Sequence, residues 1–336
     1  MNVGIIGITG YTGIELVRLV AQHPELTLVH GAAGASAGKA LTEVWPSLTG
    51  LVELTVAAVD PAQIIALCDV VFLAMPHGQA ALLAPKLVAS GVTVVDLGAD
   101  FRLKSAATYA RYYGMQHPSP GLLDEAVYGL PEHHRAALKG ARLIANPGCY
   151  PTAVTLAAYP LLSMVSPPLV ASCLSGVSGA GRSAPERTRY CETADQARAY
   201  GVGGQHRHTP EIEQNLHGAQ VAFTPHLAPM SRGIVATVHM RHEAPVDPAA
   251  IQRAYGDAYA SEPMIVMRDT PPSTGDVRGS NRAHIHVCHD PERQMTTAIC
   301  VIDNLLKGAA GQAVQAMNAA LGYPETTGLP MHPTLP

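Results

Sequence analysis

The stretch VGIIGITGYTGIELVRLV at residues 3–20 joins a short apolar run, a glycine-rich turn and an amphipathic helix pattern. The apolar run predicts a buried strand, and apolar residues recur at helical spacing after the last glycine. This order forms the phosphate cradle of a dinucleotide-binding unit, because the glycines let the pyrophosphate approach the helix N-terminus. The stretch therefore predicts a Rossmann-type domain. The expected cofactor contacts in it are Gly7, Thr9, Gly10, Tyr11, Thr12 and Gly13.

Further apolar runs continue the strand pattern through the first half of the chain, at residues 26–30, 70–74, 92–96 and 142–145. Their alternation with helical segments predicts a parallel sheet, and ligands bind at the carboxyl edge of such a sheet. The loops that follow three of these runs bring His77, Arg102 and Asn146 to that edge. We therefore expect these side chains to lie near bound ligands.

The segment after the second predicted strand bears on the choice of nicotinamide cofactor. An NAD-binding unit usually places an acidic residue there to hold the ribose 2′-hydroxyl. This chain has Gly-Ala-Ala-Gly at residues 31–34 instead, followed by Ser36 and Lys39, which can donate hydrogen bonds to a 2′-phosphate. The segment favours NADP, and an ordinary solvated loop is the alternative.

A candidate nucleophile lies in NPGCYPT at residues 146–152. Pro147 and Gly148 indicate a turn, and Pro151 suits the first turn of a helix. Cys149 is then predicted at the helix N-terminus, where free amides and the helix dipole stabilise a thiolate. Burial as a small hydrophobic residue is the alternative for this cysteine.

The second half of the chain changes to β-rich segments, which predicts an α+β domain with a mainly antiparallel sheet. The glycine-rich loop at residues 175–182 suits a phosphoryl group or a nicotinamide amide, with a plain hinge as the alternative. Two histidines and an arginine precede a predicted helix at residues 206–213, and imidazoles suit proton exchange with a thiolate. A small-residue helix that begins at residues 303–308 is expected to pack back on the first domain, with Asn304 at the cofactor.

Composition limits the classes of function that the chain can have. Its 336 residues suggest two domains, and a net charge of −4 without a basic tract gives no sign of nucleic-acid or membrane binding. The N-terminus shows no signal-peptide pattern. The six scattered cysteines form no CxxC pair, which argues for reduced thiols in a cytoplasmic enzyme and against a disulfide framework or a zinc site.

Several motifs along the chain together resemble the N-acetyl-γ-glutamyl-phosphate reductase family, part of the aspartate-semialdehyde-dehydrogenase superfamily. The matching stretches are GITGYTGIEL (7–16), DLGADFRL (96–103), YGLPE (128–132), NPGCYPTA (146–153), SGVSGAGR (175–182), HRHTPEI (206–212), FTPHLAPMSRGI (223–234) and DNLLKGAAGQA (303–313).

The resemblance implies reduction of an acyl phosphate by NADPH, through a cysteine thioester, to a semialdehyde and inorganic phosphate in arginine biosynthesis. Alternatives are a related reductase of N-acetyl-aminoadipyl or aspartyl phosphate, or a non-catalytic NADP-binding sensor. The resemblance also implies a Rossmann-type NADP-binding domain at residues 1–147, completed by 304–336. A substrate and oligomerisation domain of the semialdehyde-dehydrogenase type would cover 148–303, in a homodimer or homotetramer.

The implied roles complete the predicted site, without a metal. Cys149 is the nucleophile and His208 the chosen acid/base, although the residues alone hardly separate His208 from His206. The other expected cofactor contacts are Ser36, Lys39, His77, Gly179 and Asn304. The expected substrate contacts are Arg102, Asn146, Ser178, Arg182, His206, Arg207 and Glu211.

Overall fold

A computed structural model describes residues 1–183 and 185–335 and divides the chain into two units. Unit 1 contains Met1–Pro147 and Ala309–Leu329. Unit 2 contains Gly148–Gly308 and the residues from Pro330 onward. Residues 304–308 and those after 329, which the sequence analysis assigns to the first domain, therefore belong to unit 2.

Unit 1 is built on a parallel sheet. Its six strands, counted over the part of the chain that the structure describes, are β1 (Asn2–Ile6), β2 (Thr27–Ala32), β3 (Val70–Leu73), β4 (Thr93–Asp96), β5 (Val127–Tyr128) and β6 (Leu143–Ala145). They lie in the order β2-β1-β3-β4-β6-β5, and each neighbouring pair is parallel. Every residue of β3 and β4 is buried, as expected for apolar strands covered on both faces.

Helices connect these strands, and polar caps fix several of their ends. They are α1 (Tyr11–Gln22), α2 (Leu41–Val44), α3 (Pro61–Leu67), α4 (Ala80–Ala89), α5 (Ala106–Tyr113) and α6 (Pro131–Leu138). The Asp60 carboxylate accepts the Ala62 amide at the start of α3, and the Ser105 hydroxyl accepts the Thr108 amide at the start of α5. Among the described residues, no helix of either unit combines the length and apolar character needed to cross a bilayer.

Unit 2 is built on a mixed sheet that is mainly antiparallel. Its first helix is α7 (Cys149–Ala158), followed by β7 (Ser166–Ser175), α8 (Tyr190–Thr193), β8 (Arg198–Ala199), α9 (Thr209–Asn215), β9 (Val221–Leu227), β10 (Ile234–Arg241), α10 (Pro248–Tyr259), β11 (Ile265–Met267), β12 (Ala283–Asp290) and β13 (Met295–Ile302). The strand order is β11-β12-β13-β10-β7-β9-β8, with β7–β9 and β11–β12 as parallel pairs. Helix α7 packs on β10 and β13, so it covers one face of the sheet.

The last helix, α11 (Ala310–Leu321), returns to unit 1 and packs on α1 and α6, as the sequence predicts. Gln312 Nε2 donates to the Gly129 carbonyl over 2.6 Å, and Asn318 Oδ1 lies 3.0 Å from His23 Nε2. The helix begins later than predicted. Residues 303–308 form turns, in which the Asp303 carbonyl accepts the amides of Leu306 and Gly308.

Candidate active site

The glycine-rich loop between β1 and α1 has the backbone conformation that a phosphate cradle needs. Gly7 has φ +84°, and a Cβ built on it would lie 2.1 Å from the Ala74 carbonyl oxygen, so only glycine fits. Gly10 is the N-cap of α1, where no side-chain cap bond is made and the described first turn contains no acidic residue. The first amides of α1 and its dipole therefore suit a pyrophosphate, and the residues present fit a dinucleotide.

The turn after β2 carries the two residues predicted to bind a 2′-phosphate. Ser36 is half-buried and Lys39 is exposed. The Gly38 amide donates to the Val56 carbonyl and the Lys39 carbonyl accepts the Val56 amide, at 2.8 and 2.9 Å. Backbone contacts thus hold this turn in unit 1, the unit that contains the glycine-rich loop.

The loop that carries His77 is held by a buried carboxylate. Asp100 accepts the amides of Gly78 and Ala81 at 2.7 and 3.0 Å and the Tyr109 hydroxyl at 2.8 Å. His77 itself is exposed, with its ring 5.0 Å from that of Tyr113. Asp100 is a positioning residue that sequence reasoning did not single out, although it lies within the DLGADFRL motif.

Arg102 is oriented by backbone carbonyls at the carboxyl edge of the sheet. Its Nε donates to the Asn146 carbonyl over 2.7 Å and its Nη2 to the Leu97 carbonyl over 2.9 Å. The Asn146 side chain donates to the Ala309 carbonyl over 3.2 Å, and its Oδ1 is buried. Burial, together with the neighbouring Asp100 carboxylate, raises the pKa of Asp96, the last residue of β4, to about 7. The bond from Arg102 Nε to the Asn146 carbonyl puts two of the predicted substrate residues in direct contact.

Cys149 is the first residue of α7, as the sequence predicts, and Gly148 is its N-cap. The buried Gly148 amide donates to Glu211 Oε1 over 2.8 Å, which holds the loop before the cysteine. Cys149 is half-buried, whereas Cys68, Cys173 and Cys300 are buried. The contact shown for Glu211 is with this loop, and its contact with substrate stays a prediction.

The two candidate histidines lie side by side just before α9 and differ in their contacts. Their ring centroids are 4.9 Å apart, and His206 Nδ1 accepts the His208 amide over 3.1 Å. This bond makes Nδ1 an acceptor, so the neutral His206 ring carries its proton on Nε2. Burial, with a smaller contribution from Arg207, lowers the pKa of His206 to about 4. His206 is therefore neutral at pH 7.

Tyr150 links the cysteine helix to the histidines. Its ring lies 5.8 Å from His206 and 5.9 Å from His208, and its hydroxyl lies 3.0 Å from that of Tyr200. Burial is the main cause that raises the pKa of Tyr150 far above its ordinary value, so its hydroxyl stays protonated. Sequence reasoning missed Tyr150, for which the only signal is its place beside Cys149.

Within unit 2, the glycine-rich loop at residues 175–182 contacts the turns at residues 303–308. Asn304 Nδ2 donates to Ser178 Oγ over 3.0 Å, and Asn304 Oδ1 accepts the Gly233 amide over 2.7 Å. The contact joins a predicted cofactor residue to a predicted substrate residue. Gly179 and Arg182 are exposed in the same loop, and Arg207 is exposed beside the histidines.

Gly308 is a further residue of the site that the sequence analysis did not identify. A Cβ at this position would lie 2.8 Å from Cys149 Cβ and 2.7 Å from the Asn304 carbonyl oxygen. Any larger side chain would displace the cysteine or the Asn304 backbone. In the part of the chain that the structure describes, no group of three or more His, Cys, Asp or Glu side chains could hold a metal ion.

Two family models match most of the chain. The model described as "Semialdehyde dehydrogenase, NAD binding domain" matches residues 2–141, and "Semialdehyde dehydrogenase, dimerisation domain" matches residues 149–304. The N-acetyl-gamma-glutamyl-phosphate reductase of Acidithiobacillus ferrooxidans is 49% identical over 346 residues that cover 100% of both chains. That of Halorhodospira halophila is 49% identical and covers 98% of each chain. The chain belongs to the N-acetyl-gamma-glutamyl-phosphate reductase family.

Solved structures confirm the fold class of this reductase family member. Aspartate semialdehyde dehydrogenase II from Vibrio cholerae, complexed with ASA, has a TM-score of 0.70 at 20% identity and covers 95% of this chain and 97% of its own. Aspartate semialdehyde dehydrogenase with NADP from Candida albicans also has a TM-score of 0.70, at 17% identity and with the same coverage. The predicted combination of a Rossmann-type domain with a semialdehyde-dehydrogenase α+β domain is therefore correct.

We predict that Gly308→Ala lowers kcat by at least about 10-fold, because small displacements of a reacting group are costly and about 1 Å can cost 10²-fold. Gly256→Ala in α10 is the matched control, since its Cβ would meet nothing within 4 Å. Steady-state kinetics with thermal unfolding of both variants measure the effect. A folded Gly308→Ala protein with the parental kcat would contradict the prediction.

Proposed function

We propose that this chain reduces N-acetyl-L-glutamyl 5-phosphate to N-acetyl-L-glutamate 5-semialdehyde and inorganic phosphate, with NADPH as the reductant, in arginine biosynthesis. The names of relatives 49% identical over the full chain support this substrate. The observation that carries the proposal is the half-buried Cys149 at the N-terminus of α7. The next residue, Tyr150, lies against the rings of His206 and His208, and the buried Glu211 carboxylate accepts the amide of the N-cap, Gly148. The six cysteines are free thiols, which fits the cytoplasm.

Cys149 carries the covalent chemistry in this proposal. Its thiolate attacks the acyl carbon, the bond to the phosphate oxygen breaks, and inorganic phosphate leaves behind a thioester. NADPH, when bound, supplies a hydride. Addition of the hydride to the thioester carbon gives a thiohemiacetal oxyanion. The oxyanion gains a proton. It loses that proton again when the C–S bond breaks and the aldehyde leaves. The α7 dipole stabilises the departing thiolate.

His208 is our acid/base for these proton transfers. His206 is neutral at pH 7 and its Nδ1 holds the His208 amide, so it is less able to donate a proton. His208 precedes the first turn of α9, whose Glu211 holds the loop before Cys149. We propose that His206, Asn146 and Ser178 orient the substrate and that Arg102, Arg182 and Arg207 bind its anionic groups.

The cofactor-binding unit supports a preference for NADP. Residues 31–34, at the end of β2 and directly after it, include no carboxylate, which would repel a 2′-phosphate there. Ser36 and Lys39 lie in the turn that follows. The glycine-rich loop residues Gly7 to Gly13 would bind the pyrophosphate, and we propose His77, Gly179 and Asn304 as further cofactor contacts.

The unit 2 sheet lies within the residues that match the dimerisation-domain model. We propose that two copies of the chain associate through the exposed face of this sheet. Strand β7 buries alternate residues, and its outward side chains Val170 and Leu174 are 46% and 38% exposed. Apolar side chains on an exposed strand face are typical of protein–protein interfaces. The proposed state is therefore a homodimer, or a homotetramer built from it.

We predict phosphate-dependent oxidation of N-acetyl-glutamate semialdehyde with NADP, and much weaker turnover with NAD or with aspartate semialdehyde. Cys149→Ser should abolish this turnover but keep NADPH binding, because a serine alkoxide is far harder to form than a thiolate. Absorbance of NADPH measures turnover, and titration calorimetry measures cofactor binding. Activity that is retained in the serine variant, or that needs no phosphate, would contradict thioester chemistry.

We predict that His208→Asn lowers kcat about 10²–10⁴-fold, the usual contribution of general acid–base catalysis. His206→Asn should act mainly on KM, because the loss of uniform binding leaves kcat little changed. Kinetics of both variants across pH decide the assignment. A kcat defect confined to His206→Asn would reverse the two roles.

The pH dependence of the free energy of unfolding tests the lowered pKa of His206, again with the His206→Asn variant. His206 has a pKa of about 4 in the folded chain against an ordinary 6.5, so the unfolded chain binds this proton more readily. Its contribution to stability is present above pH 6.5 and is lost as pH falls towards 4. As the pH falls from 6.5 to 4, the free energy of unfolding of His206→Asn should therefore decrease less than that of the parent. Urea titrations at each pH measure both values.

We predict that Leu174→Arg shifts the chain towards monomer in sedimentation velocity, because it places a charge on the proposed interface. Leu51→Arg is the matched control, since Leu51 is 76% exposed in unit 1. Equal sedimentation of parent and Leu174→Arg would place the interface elsewhere.

A further inference from the structure

Trp45, the only tryptophan of the chain, contacts the glycine-rich loop of unit 1. It follows α2, and its Nε1 donates to the Thr9 carbonyl over 3.1 Å. Its ring centroid lies 6.2 Å from that of Tyr11, the first residue of α1, with the planes tilted by 55°. Both residues are half-buried.

The indole bond orients one peptide of the cradle. The Thr9 carbonyl and the Gly10 amide belong to the same planar peptide and point in opposite directions. The indole of Trp45 binds the carbonyl, and the Gly7 carbonyl accepts the Gly10 amide over 3.1 Å. The peptide is therefore held from both sides, and with it the residue that caps α1.

A short hydrogen-bonded arm, residues 36–56, connects Trp45 to the turn that carries Ser36 and Lys39. The Gly38 amide and the Lys39 carbonyl bond to Val56, and the Leu41 amide donates to the Leu54 carbonyl over 2.8 Å. The Trp45 amide donates in turn to the Leu41 carbonyl over 2.8 Å. The arm thus links Ser36 and Lys39, the predicted 2′-phosphate residues, to Trp45, which contacts the glycine-rich loop.

We propose that Trp45 positions the cofactor cradle and, with Tyr11, forms an aromatic surface for the adenosine 2′-phosphate end of the dinucleotide. Such an aromatic surface suits the adenine base, because aromatic side chains stack on nucleobases. The donors of Ser36 and Lys39 at the other end of the arm suit the phosphate. The proposal rests on the preference for NADP proposed above and is independent of the acyl substrate.

The single tryptophan gives a direct test without turnover. Adenosine 2′-monophosphate is titrated into the full chain while Trp45 emission is excited selectively over tyrosine. We expect a saturable change in emission, and a weaker response to adenosine 5′-monophosphate, which lacks the 2′-phosphate. Equal responses to both nucleotides would leave the aromatic surface in place and overturn the preference for NADP. Absence of any emission change at saturation would overturn the proposal.

Variants separate positioning from simple structural support. Trp45→Phe keeps a ring and removes the N–H donor, so KM for NADPH and Kd for adenosine 2′-monophosphate should rise about 3- to 10-fold, the effect of one lost hydrogen bond, while kcat stays unchanged. Trp45→Ala removes both features and should raise both constants further. Tyr190→Phe, at a position 83% exposed in unit 2, is the matched control and should change neither.

Nucleotide affinities of the variants are measured by calorimetry, and thermal unfolding confirms that each is folded. If Trp45→Ala does not fold, Trp45→Phe carries the test alone. A folded Trp45→Phe protein with the parental KM and Kd, or with a loss confined to kcat, would show that Trp45 does not position the cofactor.

Discussion

The buried hydrogen bond from the Gly148 amide to Glu211 fixes the point from which the unit 2 site is built. Gly148 also begins the hydrogen bonding of α7, since its carbonyl accepts the amide and the hydroxyl of Thr152. Glu211 lies in the first turn of α9, directly after His208 and Thr209–Pro210. One charge-assisted bond therefore couples the start of the cysteine helix to the start of the histidine helix. Loss of the carboxylate would leave a buried amide without this partner, which is why the constraint is strong.

Backbone atoms hold two polar side chains of unit 1, Arg102 and Asp100. Two carbonyls orient the Arg102 guanidinium, and two amides with one phenol hydroxyl orient the Asp100 carboxylate. The two carbonyls thus orient the guanidinium before an anion arrives. Such preorganised groups need little rearrangement when charge develops on a substrate.

The sequence predicts those features that arise from local pattern. The Gly7–Gly13 turn, the buried strands and the position of Cys149 at a helix start all follow from residues that are near one another in the chain. The approach of Gly308 to Cys149 and the bond between Tyr150 and Tyr200 depend on segments far apart in sequence, so no spacing reveals them. Helix α11 begins at Ala310, later than the sequence predicts, after hydrogen-bonded turns at residues 303–308.

The surroundings of Cys149 differ from those of the buried thiols in a way that would favour a thiolate. Burial raises the pKa of Cys173 well above its ordinary value, with the neighbouring Cys300 and Cys149 as smaller causes, and burial raises that of Cys68 to about 11. Those thiols stay protonated at neutral pH, because a buried thiolate would lack both water and a compensating positive field. Cys149 is half-buried at a helix N-terminus, where the α7 dipole supplies such a field. Among Cys68, Cys149 and Cys173, only Cys149 lies at a helix N-terminus, since Cys68 follows the last turn of α3 and Cys173 lies in β7. This position supports the proposal that Cys149 is the nucleophile.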